Sequence, residues 1–379
     1  MRTIFSTILF QVLFVTFLGT IAQAESIVLE EPIDETVKSM AEQGNPFAQN
    51  MLGDNYTHGK GVPKSDEKAA QWHRKAAEQG LAVAQYHLGL HYALGRGVPK
   101  SDEQAFVWMR KAAEQGIENA QFYLGNFYRQ GQGVQKSDIE AVKWYRKAAE
   151  QGQMDAQFNL ALCYSNGWGI LSSDEEAFRW FLKAAEQGVV NAQFNIANCY
   201  ARGRGVLRSN EEAVKWYKKA AEQGHADAQF SLALCYDNGW GVQTSRDFAT
   251  KWYRMAAEQG NANAQFNLGN SFYQGRGVLK SDEEAVKWFR KAAEQGHADA
   301  QFNLALCYDN GWGVQKSSEV ASKWYRMAAE QGNANAQFNL GVSYENGHGV
   351  LKSHEEAVKW FQKAAAQGHE KAKEVLTQR

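Results

Sequence analysis

Residues 261–296 read NANAQFNLGNSFYQGRGVLKSDEEAVKWFRKAAEQG, and the fold is decided there. Ala264, Leu268 and Phe272 recur at i, i+4 and i+8, which places one apolar face on a helix. Gly275-Arg276-Gly277 ends that helix, the first glycine standing where a left-handed residue satisfies orphan carbonyls. Val278-Leu279-Lys280 is a short connector. Ser281-Asp282-Glu283-Glu284 then predicts a capping box opening a second helix, with acids in its first turn to complement the dipole. Ala285, Trp288, Phe289, Ala292 and Ala293 form the apolar stripe of that helix, and Gly296 stops it.

Outward from this stretch the unit repeats without a slip. Its closing glycine stands at Gly44, Gly80, Gly116, Gly152, Gly188, Gly224, Gly260, Gly296, Gly332 and Gly368, every 36 residues. A strict period of this size means stacked supersecondary units. The expectation is an all-α solenoid of tandem 36-residue helix-turn-helix repeats, nine of them over 45–368. Residues 33–44 read as an N-terminal capping helix and 369–379 as a C-terminal one, where Lys373-Glu374 replaces the usual Gln-Phe and gives a polar outer face. Gly269, Ala233 and Ala285 let helices approach closely. A Trp stands in every second helix (Trp72, Trp108, Trp144, Trp180, Trp216, Trp252, Trp288, Trp324, Trp360) and is assigned to the core.

The pattern Ala-Gln-x-x-Leu-Gly/Ala-x-x-Tyr-x-x-Gly-x-Gly-Val, then Ala-x-x-Trp-Tyr/Phe-x-x-Ala-Ala-Glu-Gln-Gly, resembles the Sel-one-like repeat, a 36-residue relative of the tetratricopeptide repeat. The resemblance covers the chain from about Ile33 onward. It implies a right-handed α/α superhelix with the first helices lining a concave side. For function it implies adaptor or scaffold work, often in bacterial envelope and host-contact proteins. Some secreted members are described as penicillin-binding or β-lactam-hydrolysing, and those carry paired cysteines within each repeat, which this chain lacks.

Residues 1–24 belong to another physical class. Arg2 precedes an apolar run from Ile4 to Ile21, and Ala22-Gln23-Ala24 supplies small residues at the positions a signal peptidase reads. Cleavage after Ala24, a linker over 25–32 and an exported protein, periplasmic or secreted, are expected; an uncleaved anchor is the other reading of so long an apolar run. No further segment is apolar enough to span a bilayer. Net charge is −1, from 41 basic and 42 acidic residues, which gives no field favouring nucleic acid. Cys163, Cys199, Cys235 and Cys307 share one repeat position, so they read as buried free thiols on stacked helices rather than as disulfides.

Function is sought where the repeats differ. The tenth position of the unit alternates: Leu90, Leu162, Leu234 and Leu306 interleave with Asn126, Asn198 and Asn270, flanked by Asp54 and Val342. In the turn between helices, Trp168, Trp240 and Trp312 alternate with Arg204, Arg276 and His348. This 72-residue super-period marks either a partner-binding surface or the duplication of a two-repeat block. The sixth-position aromatics, Tyr86 and then Phe122 to Phe338, either grip a partner or pack on neighbouring helices. Ser65-Asp66-Glu67-Lys68 matches Ser-x-x-Lys but occupies a helix cap, and no Lys-Thr-Gly accompanies it. His87 and His91 lie one turn apart and either share a metal or fill a packing role. The expectation is thus a non-catalytic, monomeric scaffold without cofactor or metal, binding a protein or peptide, with a β-lactam-directed envelope enzyme as the alternative.

Overall fold

The computed structural model describes residues 35–378, and every regular element among them is an α-helix. The expected signal peptide, the linker and residues 33 and 34 lie outside this range. The chain divides into two compact units, the division falling between Lys136 and Ser137. The first holds α1 (Glu35–Glu42), the pairs α2 (Pro46–His58) with α3 (Asp66–Glu78) and α4 (Ala82–Leu94) with α5 (Asp102–Glu114), then α6 (Glu118–Gln130). The second opens with α7 (Asp138–Glu150), α8 (Met154–Asn166), α9 (Asp174–Glu186), α10 (Val190–Arg202) and α11 (Asn210–Glu222). It continues through α12 (Ala226–Asn238), α13 (Arg246–Glu258), α14 (Ala262–Gln274), α15 (Asp282–Glu294) and α16 (Ala298–Asn310). It ends with α17 (Ser318–Glu330), α18 (Ala334–Asn346), α19 (His354–Ala366) and α20 (Glu370–Thr377). Even-numbered helices are the first of each repeat and odd-numbered ones the second. Within each unit, consecutive helices pack in tandem, as an all-α solenoid requires.

The predicted stripes form the core. Ala264, Leu268 and Phe272 of α14 are buried with Ala285, Trp288, Phe289, Ala292 and Ala293 of α15. The repeated Trp is buried or half-buried, and except at Trp252 and Trp324, where Met255 and Met327 follow instead, its ring carries the lysine of the next turn: Lys291 Nζ lies 4.2 Å from the Trp288 ring centroid and Lys219 Nζ 3.8 Å from that of Trp216. At the N-terminal end Val37 and Ala41 of α1 lie against Leu52, and at the other Val375 and Leu376 of α20 pack against the core of the last repeat. Cys163, Cys235 and Cys307 are buried, Cys199 half-buried, and all four are free. Burial pushes the Cys199 and Cys235 thiols up to about 11 and Cys307 to about 12, so they are unreactive near neutral pH.

The capping box forms only by half. Ser281 Oγ accepts the Glu284 N–H at 3.2 Å, but the Ser281 N–H donates to Phe272 O at 3.0 Å, and Glu284 pairs with Lys287 instead. The serine N–H is therefore spent on closing the turn back onto the first helix, leaving the glutamate nothing to reciprocate. Even-numbered helices are capped differently. Asn261 and Asn333 Oδ1 accept the Ala264 and Ala336 N–H groups at 2.9 Å, and His225 and His297 Nδ1 do the same for Ala228 and Ala300 at 3.2 and 3.3 Å. Each of these two histidines also stacks on a sixth-position ring, His225 on Phe194 and His297 on Phe266.

An imidazole cap works only while Nδ1 is unprotonated. Burial lowers the His225 and His297 pKa values below the ordinary 6.5, against a smaller opposing pull from Asp227 and Asp299. As pH falls through that value the unfolded chain takes up protons before the folded one, so stability drops with pH. The double variant His225→Asn/His297→Asn keeps both caps and removes both titrations. Its urea midpoint is expected to fall less than that of the parent between about pH 7.5 and 5.5.

The repeated glutamines hold the repeats together through buried amides. Gln265 Nε2 donates to Ala257 O of the preceding helix at 3.0 Å, and Gln265 Oε1 accepts from Gln295 Nε2 at 2.7 Å. The same pair of bonds joins Gln85, Ala77 and Gln115, and Gln229, Ala221 and Gln259. Each fifth-position glutamine thus supplies a second donor to a helix C-terminal carbonyl that already accepts the N–H of the closing glycine, as Ala257 O does from Gly260 at 3.0 Å.

Candidate functional site

The tenth-position residues lie half-buried on the even-numbered helices. Leu162, Leu234 and Leu306 rest against the hydrophobic core, so they contribute to packing as well as to a surface. Leu90 and Asn126 are also half-buried. Asn198 Oδ1 accepts from the Tyr217 hydroxyl at 2.7 Å, and Asn270 Oδ1 accepts from Asn303 Nδ2 at 3.2 Å. In the turns, Trp168 is half-buried, whereas Trp240 and Trp312 are 50% and 36% exposed. Trp312 lies 5.6 Å from the Tyr273 ring. Arg204 and Arg276 are exposed. The sixth-position phenylalanines pack within the fold: Phe158, Phe230, Phe266 and Phe302 sit 5.7–6.1 Å from the rings of Phe181, Tyr253, Phe289 and Tyr325.

Two of the predicted residues converge. Asn270 on α14 and Arg276 in the turn after it line a polar recess of about 170 Å³ with Asp237, Arg246, Tyr253 and Gln274. Arg246 Nη1 lies 3.8 Å from Asp237 Oδ1, and Thr250 Oγ1 donates to the Arg276 carbonyl at 3.0 Å, which holds the turn onto α13. Burial raises the Tyr253 phenol well above its ordinary value, so it stays a neutral donor. The recess offers two guanidinium groups, a carboxylate and amides, a set suited to hydrogen-bonding a peptide backbone or a charged side chain.

Ser65 is a helix cap. Its Oγ accepts the Lys68 N–H at 3.3 Å and donates to Glu67 Oε2 at 3.2 Å, while Lys68 Nζ lies over the Tyr56 ring at 5.3 Å. His87 and His91 do not face a common point. His91 is 7% exposed; its Nδ1–H donates to Arg96 O at 2.7 Å, and its Nε2 meets His73 Nδ1 at 3.0 Å. His87 Nδ1 instead lies 3.3 Å from Asp54 Oδ1, which is 3.2 Å from His73 Nε2. Burial lowers the His87 pKa to about 4, helped by His73 and opposed by Asp54. Burial raises the Asp54 pKa, but its histidine partners outweigh that and hold the carboxyl below its usual range.

This cluster escaped the sequence reading, although a signal existed. His73 stands where other repeats carry Met109 or an aromatic such as Tyr145. Asp54, His87 and His91 are likewise departures at their positions. A row in the connectors was also missed: Leu171, Leu207, Leu279 and Leu351 are 88–91% exposed, where other repeats have Pro63, Pro99 or glutamine.

Tandem helix pairs, closed by glycine turns and bound by a glutamine ladder, define an all-α repeat scaffold, a class that works through extended surfaces. The Sel1 repeat matches nine times along the chain, from residues 46–81 to 334–369, and the chain belongs to the Sel1-repeat family. A solved structure of c5321, a protective antigen present in uropathogenic Escherichia coli strains, is 38% identical over 89% of this chain and 80% of its own, with a TM-score of 0.77. A Sel1 repeat protein from Oxalobacter formigenes is 35% identical over 80% of this chain and 87% of its own, with a TM-score of 0.62. No curated protein sequence matches the chain.

Proposed function

We propose that this protein is an exported, non-catalytic scaffold that binds a protein or peptide along its even-numbered helices and the turns that follow them. The observation that carries the reading is the polar recess. Its Asn270 and Arg276 are residues the fold does not demand, since the same positions hold Leu234 and Trp240 one repeat earlier. The exposed rings of Trp240 and Trp312 add anchors of the kind that dominate binding energy. Export is supported by the composition of residues 1–24, and an envelope or host-contact role by the likeness to an antigen that protects. No described helix is long and apolar enough to cross a membrane.

A photo-crosslinking residue at Gln274, on the recess, is expected to trap one discrete polypeptide in the native cell envelope or secreted fraction. The same residue at Lys251, exposed on α13 and outside the recess, is expected to trap none. Equal labelling from both positions contradicts the assignment. Acylation by a labelled penicillin that disappears in Ser65→Ala would instead support the enzymatic alternative.

A further inference from the structure

We propose that Asp54 Oδ1, His73 Nε2 and His87 Nδ1 form a binding site for one divalent cation of the zinc class, bridging the first two repeats. The three atoms lie within 4.8 Å of one another, and two of their separations are 3.2 and 3.3 Å. A tetrahedral zinc ion with bonds of about 2.0–2.1 Å holds its ligands about 3.4 Å apart. Two edges of such a site are therefore already in place, and the third closes with a small movement of the His87 ring.

The hydrogen-bond chain behind His73 gives an independent reason. His91 Nδ1–H donates to the Arg96 carbonyl at 2.7 Å, which leaves the lone pair of a neutral His91 on Nε2. That lone pair faces His73 Nδ1 at 3.0 Å, so His73 Nδ1 carries the proton and donates. In neutral His73, Nε2 then points its own lone pair at a carboxylate oxygen 3.2 Å away. Two electron-rich atoms so placed are reconciled either by a proton on Nε2, giving an imidazolium–carboxylate pair, or by a metal ion that replaces that proton. Asp54 is oriented for the task as well: Asn50 Nδ2 donates to its Oδ2 at 3.0 Å, which leaves Oδ1 for the ion. His87 Nδ1 gives up a 3.2 Å contact with Asn50 Oδ1 when it binds. Partners of this kind, fixing tautomer and orientation, are what zinc-ligating histidines have.

The donor set selects the metal. Two imidazoles and one carboxylate suit zinc, nickel or copper better than the all-oxygen shells of calcium and magnesium. The His73 side chain is 2% exposed, while those of Asp54 and His87 are 39% and 25% exposed. Solvent thus reaches one side of the site, providing an access route and a fourth position for water or a partner's ligand. Gly53 makes the geometry possible, since a Cβ there would sit 2.5 Å from the His73 ring. Asp54 and His73 come from the first repeat and His87 from the second, so a bound ion pins two neighbouring repeats.

Tag-free full-length protein, stripped with a chelator, is titrated with Zn²⁺ by calorimetry and with Co²⁺ by visible absorption. One equivalent of each is expected to bind, with the intense d–d bands of four-coordinate cobalt, and zinc is expected to raise the melting temperature by about 3 °C or more. Asp54→Asn and His87→Gln are each expected to weaken binding by about 100-fold or more. His91→Ala is expected to weaken it about 10–100-fold and His91→Gln, which keeps an acceptor for His73, to restore most of the loss. No saturable uptake by the unmodified protein overturns the proposal, whatever the variants do. So does full-affinity binding in the Asp54→Asn or His87→Gln protein, which would place the ion elsewhere.

Discussion

Gly241→Ala is expected to destabilise the protein by about 3 kcal/mol or more, and Gly260→Ala by only about 1 kcal/mol. Both glycines have positive φ, +68° and +94°. They differ in what surrounds them. A Cβ on Gly241 would stand 2.3 Å from the carbonyl carbon and oxygen of Asn210, backbone atoms at the start of α11 that cannot swing aside. The same Cβ on Gly260 would meet nothing within 4 Å. The first substitution combines a left-handed backbone with overlap against a neighbouring helix, and the second suffers the backbone term alone. Urea unfolding followed by circular dichroism gives the comparison directly. Equal costs would mean that the close approach of each turn to the preceding helix does not hold the stack.

The second large effect lies in the amide ladder. Gln265 is 4% exposed, and Gln265→Ala removes two hydrogen bonds at once, leaving the Ala257 carbonyl with only the Gly260 N–H and the Gln295 amide with only the Lys291 carbonyl. Each lost bond costs about 0.5–1.5 kcal/mol net, so a loss of about 1–3 kcal/mol is expected. Gln265→Glu supplies a signature that a packing defect cannot imitate. At neutral pH a carboxylate oxygen faces the Ala257 carbonyl, which favours the protonated acid in the folded state and raises its pKa there. The folded variant then binds a proton the unfolded chain has lost, so its stability rises as pH falls toward the ordinary glutamate value of about 4.3. That slope is opposite in sign to the one set by His225 and His297. Parallel pH profiles for the parent and Gln265→Glu would contradict the ladder.

The structural unit was legible because residues such as Leu268, Trp288 and Gly296 recur at positions whose chemistry is local: a stripe, a core ring and a helix stop. The glutamines were not, since a buried Gln265 reads in sequence as a polar surface residue until the carbonyl it serves is placed beside it. The sixth-position phenylalanines stood open between gripping a partner and packing. The decision needed the opposing ring, such as Phe289 for Phe266, from another helix. Leu162, Leu234 and Leu306 show a partial success: their alternation with asparagine offered them as a partner-binding surface, yet all three are half-buried and pack against the core. Asp54, His73, His87 and His91 come from three helices and have no motif spacing. Only their departure from the repeat pattern marked them.

The central claim is that residues keeping the 36-residue period build the fold, while those departing from it on the even-numbered helices and turns bind the partner. Asn270→Leu/Arg276→Trp tests it most directly, because it gives the seventh repeat the face that Leu234 and Trp240 give the sixth. With the photo-crosslinker at Gln274, melting is expected to stay within about 4 °C of the parent, since the half-buried tenth position accepts leucine at Leu234 and the lost Asn303 hydrogen bond costs about 1 kcal/mol. The discrete cross-link is expected to disappear. A cross-link of undiminished yield in this double variant would contradict the account.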